Sequence, residues 1–156
     1  MLTTAMAIQV AVVGSGAEWE ASAEEVERHL AERGCTVVTG GLDEVMSAAH
    51  RGAKAAGGVT LAILPGENRE AANRWADHVV VTGIGHARNL AVAASGDAVI
   101  AIGGSYGTIA EMALALRLGR RVVALEGAPE VDGALVAATP SEAVELALRD
   151  LGETPA

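Results

Sequence analysis

The sequence predicts an α/β protein in which one doubly wound parallel sheet of about seven strands carries helices on both faces. Short apolar runs rich in Val, Ile and Ala alternate with segments of helical periodicity, and several of these runs end in glycines. Strands that alternate with helices in this way form a parallel sheet covered on both faces. The predicted unit is a single domain spanning residues 1–156, with loose ends at 1–6 and 152–156.

The elements of the first half follow from hydrophobic periodicity and from the residues that begin and end helices. A capping-box spacing, Ser22-x-x-Glu25, predicts the start of a first helix that runs to Arg33. A second helix is predicted over 43–56, and residues 65–77 are predicted to form an exposed loop or a short irregular helix. The predicted strands are 8–13, 35–39, 59–64 and 78–82.

The second half continues the alternation. Helices are predicted over 87–94 and 108–118. A last helix is capped by Thr139, with Pro140 at its first position and Glu142 at its third, and ends near residue 151. The predicted strands are 97–102, 121–125 and 134–137.

Charge and hydropathy exclude several classes of partner. The chain has 11 basic and 20 acidic residues, a formal net charge of −9. A surface of this sign repels the phosphate backbone of nucleic acids, so no nucleic acid partner is expected. No apolar run reaches the ~18 residues of a membrane span, and the N-terminus lacks the pattern of a signal peptide. We therefore expect a cytoplasmic protein without membrane contact.

Metal and redox chemistry find little support in the sequence. The four histidines have no metal-ligand spacing with one another or with Cys35, so no metal site is expected. Cys35 is the single cysteine and cannot form an internal disulfide. It stands at the start of a strand, where a buried apolar role is expected.

Glycine-rich turns follow four of the predicted strands, at 14–16, 40–41, 83–89 and 103–108. Because the carboxyl ends of parallel strands meet at one edge of the sheet, ligands bind there. Glycine lets an anion approach the backbone amides, and a helix N-terminus attracts it. The predicted ligand- or phosphate-binding residues are Gly14, Ser15, Gly40, Gly41, Gly83, Asn89, Gly103, Gly104, Ser105, Tyr106, Gly107 and Thr108.

Arg88 and Glu111 are the charged candidates at this edge. Arg88 follows a glycine-containing turn near a helix start, and its guanidinium could hold a phosphate bidentately. Glu111 follows the turn at 103–108 and could act on the group attached to that phosphate. Thr108-x-x-Glu111 is also a capping-box spacing, and an Arg is most often a solvated surface residue, so local sequence leaves a structural role open for both.

Four stretches carry a family resemblance that covers most of the chain. They are GG-x(4)-M at 40–46, AGG-x-T-x-A-I-L-P-G at 56–66, ARN at 87–89 and GGSYGTIAE at 103–111. With these stretches the chain resembles the SLOG superfamily of Rossmann-like proteins, specifically its Lonely Guy-like or "possible lysine decarboxylase" group. The last stretch is similar to the family signature GG-x-GT-x-x-E, with one extra residue where Ser105 and Tyr106 stand.

The resemblance implies a function. In the cytokinin-activating enzymes that carry the signature, a nucleoside 5′-monophosphate is hydrolysed to free base and ribose 5-phosphate. The glycine-rich loop of those enzymes holds the phosphate, and an Arg and a Glu are catalytic. By matching positions, the resemblance implies Arg88 and Glu111 as the catalytic residues if this chain is such a hydrolase, and it implies no decarboxylase.

Two positions differ from the enzymes: Ile102 stands where they have Pro, and Asn89 where they have Lys. Short chains with ARN resemble the branch that includes molybdenum cofactor carrier proteins, which bind a phosphate-bearing pterin without turnover. We therefore predict binding of a phosphorylated small molecule, a nucleotide or a molybdenum-cofactor-type pterin, with no cofactor required for the fold. The alternative is a phosphoribohydrolase acting on nucleoside 5′-monophosphates. A homo-oligomer, dimer or tetramer, is implied by resemblance, and the charge disfavours a DNA-processing role.

Overall fold

The fold is described by a computed structural model over residues 5–152. The strands are β1 (Gln9–Ser15), β2 (Thr36–Thr39), β3 (Val59–Leu64), β4 (His78–Val81), β5 (Ala98–Gly103), β6 (Arg121–Ala124) and β7 (Leu135–Val136). The helices are α1 (Glu20–Glu32), α2 (Glu44–Ala55), α3 (Arg88–Ser95), α4 (Tyr106–Arg117) and α5 (Pro140–Leu148). Short 3₁₀ turns lie at Ala17–Trp19, Arg69–Ala71 and Gly85–Ala87.

The strands form one seven-stranded sheet in the order β4-β3-β2-β1-β5-β6-β7, and every neighbouring pair is parallel. The predicted α/β architecture with about seven parallel strands is confirmed. Alternate side chains of β1 supply both cores, because successive residues of a strand point to opposite faces. Val10 and Val12 pack with α1, α2 and α5 on one face, whereas Ala11 and Val13 pack with α3 and α4 on the other.

Two predicted helix starts are wrong. The turn Ala17–Trp19 continues directly into α1, so Ser22 already lies inside the helix and does not cap it. Its hydroxyl instead donates to the Glu126 carboxylate at 3.4 Å. The second error is at α4, which begins at Tyr106 rather than at Thr108.

The last helix starts as predicted. The Thr139 hydroxyl accepts the Glu142 N–H at 3.1 Å, and Pro140 stands at the first helical position. The helix ends at Leu148, before the predicted residue 151. Of the predicted loose ends, residues 1–4 and 153–156 lie outside the described residues, and Ala5 and Met6 are exposed and carry no regular structure.

Within residues 5–152, none of the helices combines the length and the hydropathy that crossing a bilayer requires.

Candidate functional site

A cleft of about 250 Å³ opens at the carboxyl edge of the sheet, where β1 and β5 lie side by side. From these two strands the chain continues to opposite faces, into α1 and α4 respectively. This is the topological switch point, at which doubly wound folds bind their ligands. The cleft is lined by Gly14, Ser15, Asp43, Met46, His86, Arg88, Asn89, Ser105, Gly107, Thr108 and Glu111.

The first turn of α4 forms one wall of the cleft. Ser105 precedes the helix, and its backbone N–H donates to the Thr108 hydroxyl at 3.3 Å. The N–H groups of Tyr106 and Gly107 come too early in the helix to have an intrahelical acceptor, and they lie at the positive end of its dipole. A Cβ on Gly107 would meet no atom within 4 Å, so the space before this turn is open. The wall therefore suits an anion.

Arg88 brings the positive charge of the cleft. It is the first residue of α3 and only 8% exposed. Its Nη1 donates to Asn89 Oδ1 at 2.6 Å and lies 3.7 Å from Glu111 Oε1. Nη2 makes no hydrogen bond within the described residues, and Arg88 lines the cleft. The guanidinium thus retains donors that a ligand with several oxygen atoms could use.

Glu111 lies in the second turn of α4 and is 3% exposed. It does not cap the helix, because α4 begins at Tyr106 and Thr108 already occupies its third position. Burial raises the pKa of Glu111 to about 7; the Arg88 charge opposes this rise, and Asp43 adds to it. Near neutral pH the carboxyl is therefore divided between its charged and neutral forms.

Asp43 places a second carboxyl in the cleft. It caps α2, and its Oδ1 accepts the Met46 N–H at 3.0 Å. Burial raises its pKa, while the Met46 N–H and the Arg88 charge act in the opposite direction. Asp43, Glu111 and Arg88 thus form one electrostatically coupled group, assembled from three different helices.

Comparison with known proteins places the chain in a family. A sequence profile described as the SLOG cluster4 family matches residues 7–150. The chain belongs to the SLOG cluster4 family. An uncharacterised protein of Archaeoglobus fulgidus is 42% identical over 140 residues, which covers 88% of this chain and 92% of that protein.

Two solved structures match this SLOG chain over nearly its whole described length. The molybdenum cofactor binding protein of Rippkaea orientalis has a TM-score of 0.85 at 30% identity, covering 92% of this chain and 96% of that one. The molybdenum cofactor carrier protein of Chlamydomonas reinhardtii has a TM-score of 0.85 at 30% identity, covering 95% and 100%. The predicted resemblance to the SLOG superfamily and to its carrier branch is confirmed.

In this SLOG fold, eight of the predicted site residues come together at the cleft. They are Gly14, Ser15, Arg88, Asn89, Ser105, Gly107, Thr108 and Glu111. Gly14 has a φ of 142°, and a Cβ there would overlap the Ile102 carbonyl, so only glycine lets β1 and β5 end this close together.

Other predicted glycines shape the cleft from behind without lining it. A Cβ on Gly40 would lie 2.8 Å from Cζ of Arg88, so glycine leaves the space that this guanidinium occupies. Gly41 packs against Ala62 and Leu64 of β3. The side chain of Trp19 covers Gly103, and that of Thr108 covers Gly104.

Gly83 lies apart from the cleft, contrary to expectation, and so does the side chain of Tyr106, whose backbone belongs to the wall formed by the first turn of α4. Gly83 follows β4, the edge strand, and lies beside Glu67. Two strands, β3 and β2, lie between β4 and β1, so Gly83 is distant from the cleft. The chain returns to the cleft only after the turn Gly85–Ala87. The side chain of Tyr106 is 88% exposed and does not line the cleft.

Asp43, Met46 and His86 also line the cleft, and of these the sequence placed only His86 near this edge, in the turn at 83–89. A signal for two of them was present, since the family stretch at 40–46 contains both Asp43 and Met46. Their place in the cleft depends on the start of α2 lying opposite α3 and α4, which periodicity along the chain does not reveal.

A buried polar network holds the turn behind Arg88. His50 Nε2 and Thr39 Oγ1 lie 3.1 Å apart, and the Gly41 N–H donates to the same hydroxyl at 2.9 Å. Asn73 Nδ2 lies 3.2 Å from His50 Nδ1, and the Asn73 N–H donates to the Gly41 carbonyl at 2.9 Å. The segment 65–77 is therefore tied to the turn at 40–41, and through it to the wall of the cleft.

Among residues 5–152, no group of three or more His, Cys, Asp and Glu side chains is arranged to hold a metal ion. Cys35 is buried, and burial raises its thiol pKa to about 11, which leaves it a poor nucleophile.

Proposed function

We propose that this protein binds a phosphorylated small molecule in the cleft, a nucleotide or a pterin of the molybdenum-cofactor kind, and carries it without chemical change. The observation that carries the proposal is the pairing of an open α4 N-terminus with the buried, incompletely bonded guanidinium of Arg88. The two solved structures that match nearly the whole chain are a molybdenum cofactor binding protein and a molybdenum cofactor carrier protein, which supports a pterin as the ligand.

The residues of the cleft fit a phosphate. The salt bridge between Nη1 of Arg88 and Glu111 is 3.7 Å long, beyond hydrogen-bond distance, so the guanidinium can also bind oxygens of a ligand. The amides of Tyr106 and Gly107 would bind further oxygens of the same group. For a pterin bearing a phosphate, these residues would hold the phosphate end.

The raised pKa of Glu111 favours the binding of such a ligand. A fully charged Glu111 beside Asp43 would repel a phosphate, whereas a carboxyl with a pKa of about 7 can take up a proton when the anion enters. Anion binding should therefore be coupled to proton uptake at this residue.

The same geometry favours a second candidate, phosphoribohydrolase activity. A carboxyl with a pKa near 7 can exchange protons at neutral pH, and it faces the space next to the phosphate site. Cleavage of an N-glycosidic bond builds positive charge on the sugar, which ionised Glu111 would stabilise while it positions water. Arg88 would hold the phosphate in both candidates.

One experiment separates the two candidates. Wild-type protein is titrated with GMP and AMP in a calorimeter, and the same mixtures are assayed by chromatography for free base. We expect saturable binding without base release, and at least about tenfold weaker binding in Arg88→Lys, because lysine cannot form the bidentate fork. The matched control is Arg117→Lys at the exposed end of α4, which should bind as wild type.

If wild-type protein releases free base and Glu111→Gln does not, the protein is a hydrolase rather than a carrier. The absence of binding to any phosphorylated ligand would refute both candidates.

We propose a homo-oligomer, dimer or tetramer, and no nucleic acid ligand, since the net charge of −9 opposes contact with a polyanion.

A further inference from the structure

A second space, which we call the outer compartment, lies next to the cleft and shares Asp43 with it. It has a volume of about 360 Å³ and lies between the first turns of α1 and α2, bounded by Glu20, Leu42, Glu44, Ser47, Arg51 and Asn73. Asp43 lines both this compartment and the cleft with Arg88. A ligand anchored by its phosphate in the cleft would therefore extend over Asp43 into the outer compartment.

The outer compartment presents hydrogen-bond acceptors. Oδ1 of Asp43 accepts the Met46 N–H, and the carboxylate has further lone pairs available on both oxygens. Among the described residues, the carboxylate of Glu44 has no hydrogen-bond or salt-bridge partner. Glu20 is only loosely paired, at 3.8 Å from Arg51.

The Arg51 guanidinium and the Asn73 amide of the outer compartment already have partners. Arg51 donates through Nε and Nη2 to Glu24 Oε2, at 3.1 Å and 2.7 Å. Asn73 Nδ2 is held between His50 Nδ1 and the Gly41 carbonyl, at 3.2 Å and 3.4 Å. A second phosphate in this compartment would face several carboxylates and no unengaged cation, so the ligand is oriented with its phosphate at Arg88.

We propose that the outer compartment reads the heterocycle of the ligand, and that Asp43 selects bases with two adjacent N–H donors, the 2-amino-4-oxo edge shared by guanine and pterins. A carboxylate presents two oxygens side by side and matches two parallel N–H donors, as it matches an arginine fork. Adenine and hypoxanthine lack this donor pair. The inference rests on the proposed phosphate site and assigns the base preference to Asp43.

The test compares four probes by calorimetry at one pH: GMP, IMP, AMP and ribose 5-phosphate. GMP and IMP differ only in the exocyclic 2-amino group, and ribose 5-phosphate lacks the base. We expect GMP to bind about tenfold or more tightly than IMP or AMP, the effect of one charge-assisted hydrogen bond pair. Ribose 5-phosphate should bind more weakly than any of the nucleotides.

The deciding variant is Asp43→Asn. Asparagine is as good a helix cap as aspartate, so α2 and the fold should be preserved, as circular dichroism would verify. The GMP preference should fall to below about threefold, since the amide cannot accept two hydrogen bonds side by side. Ribose 5-phosphate affinity should stay unchanged or rise, because a negative charge is removed. The control Glu25→Gln, on the exposed side of α1, should behave as wild type.

The outcomes separate a failure of the base assignment from a failure of the phosphate site. Equal binding of GMP, IMP and AMP, or a GMP preference that survives in Asp43→Asn, overturns the base assignment while the phosphate site stands. Failure of all four probes to bind overturns the phosphate site, and the base assignment with it.

Discussion

Arg88 and Glu111 owe their chemistry to being buried together beside the half-buried Asp43. On a surface, Glu111 would ionise with a pKa near 4.5, but burial raises its pKa to about 7. Since the folded state holds this proton more tightly than the unfolded chain, the carboxyl costs stability as the pH rises from about 4.5 to 7.

His50 acts in the opposite direction. Burial lowers its pKa from 6.5 to about 4, so the unfolded chain binds a proton that the folded state refuses. Its contribution to stability is present above pH 6.5 and is lost as the pH falls towards 4. The network around the turn at 40–41 should therefore weaken in mild acid.

Glu27 is a buried carboxyl away from the cleft. It lies on α1, is fully buried, and neither carboxylate oxygen has a hydrogen-bond partner among the described residues. Burial raises its pKa well above 4.5, because the charged form would be buried without a partner.

We predict that Glu27→Gln flattens the dependence of stability on pH. In wild type, the contribution of Glu27 to the free energy of unfolding is independent of pH below about 4.5, and above that value the free energy of unfolding falls by up to about 1.4 kcal/mol per pH unit. Glutamine cannot ionise, so the variant should gain stability over wild type as the pH rises, as measured by urea unfolding at several pH values. Glu25→Gln on the exposed side of the same helix is the control; parallel curves for Glu27→Gln and wild type would contradict the prediction.

At the scale of elements, the glycines of the turn between β5 and α4 have different tasks. Gly104 has a φ of 107°, and a Cβ there would overlap the Thr108 side chain. Gly107 has an ordinary helical conformation and open space before it. The first is required by the fold, whereas the second leaves room for a ligand.

We predict that Gly107→Val folds normally and fails to bind. The added side chain would fill the space before the α4 amides, and ligand affinity should fall by at least about tenfold. Thermal unfolding should change little, as for other open positions. Gly104→Val, by contrast, should be destabilised by roughly 2 kcal/mol or more through backbone strain and overlap. Retained affinity in Gly107→Val would show that the anion does not use this turn.

At the scale of the whole molecule, several apolar side chains remain exposed around β4 and the starts of α3 and α4. Leu90 is 47% exposed, and Val80, Ile84 and Ile109 are also exposed. Exposed apolar groups on a chain of this net charge are typical of surfaces that become covered by association.

We predict that light scattering gives two or four times the monomer mass of 15.7 kDa. Leu90→Glu should shift the distribution towards monomer, because a charge would be buried without a partner. Ala21→Glu, at an exposed position of α1 on the other face of the sheet, is the matched control and should leave the mass unchanged. A wild-type monomer at high concentration would refute the association.

Much of the fold could be predicted from local patterns. The apolar runs at β1, β3 and β5 and the Thr139 cap of α5 are recognisable because their signals lie within a few neighbouring residues. The start of α1 was not predictable in this way, because the turn at Ala17–Trp19 overrode the capping-box spacing of Ser22. Among the glycine-rich turns, sequence could not separate those that line the cleft from Gly83, which stands at the far edge of the sheet.

The sequence by itself determined the doubly wound architecture and the glycine-rich turn before α4, since periodicity and glycine geometry are properties of short segments. Only the tertiary structure decided that Glu111 is buried beside Arg88 rather than capping a helix, and that Asp43 joins them. The physical reason is that burial and charge coupling depend on helix starts distant in the chain, which meet because β1 and β5 are neighbours in the sheet.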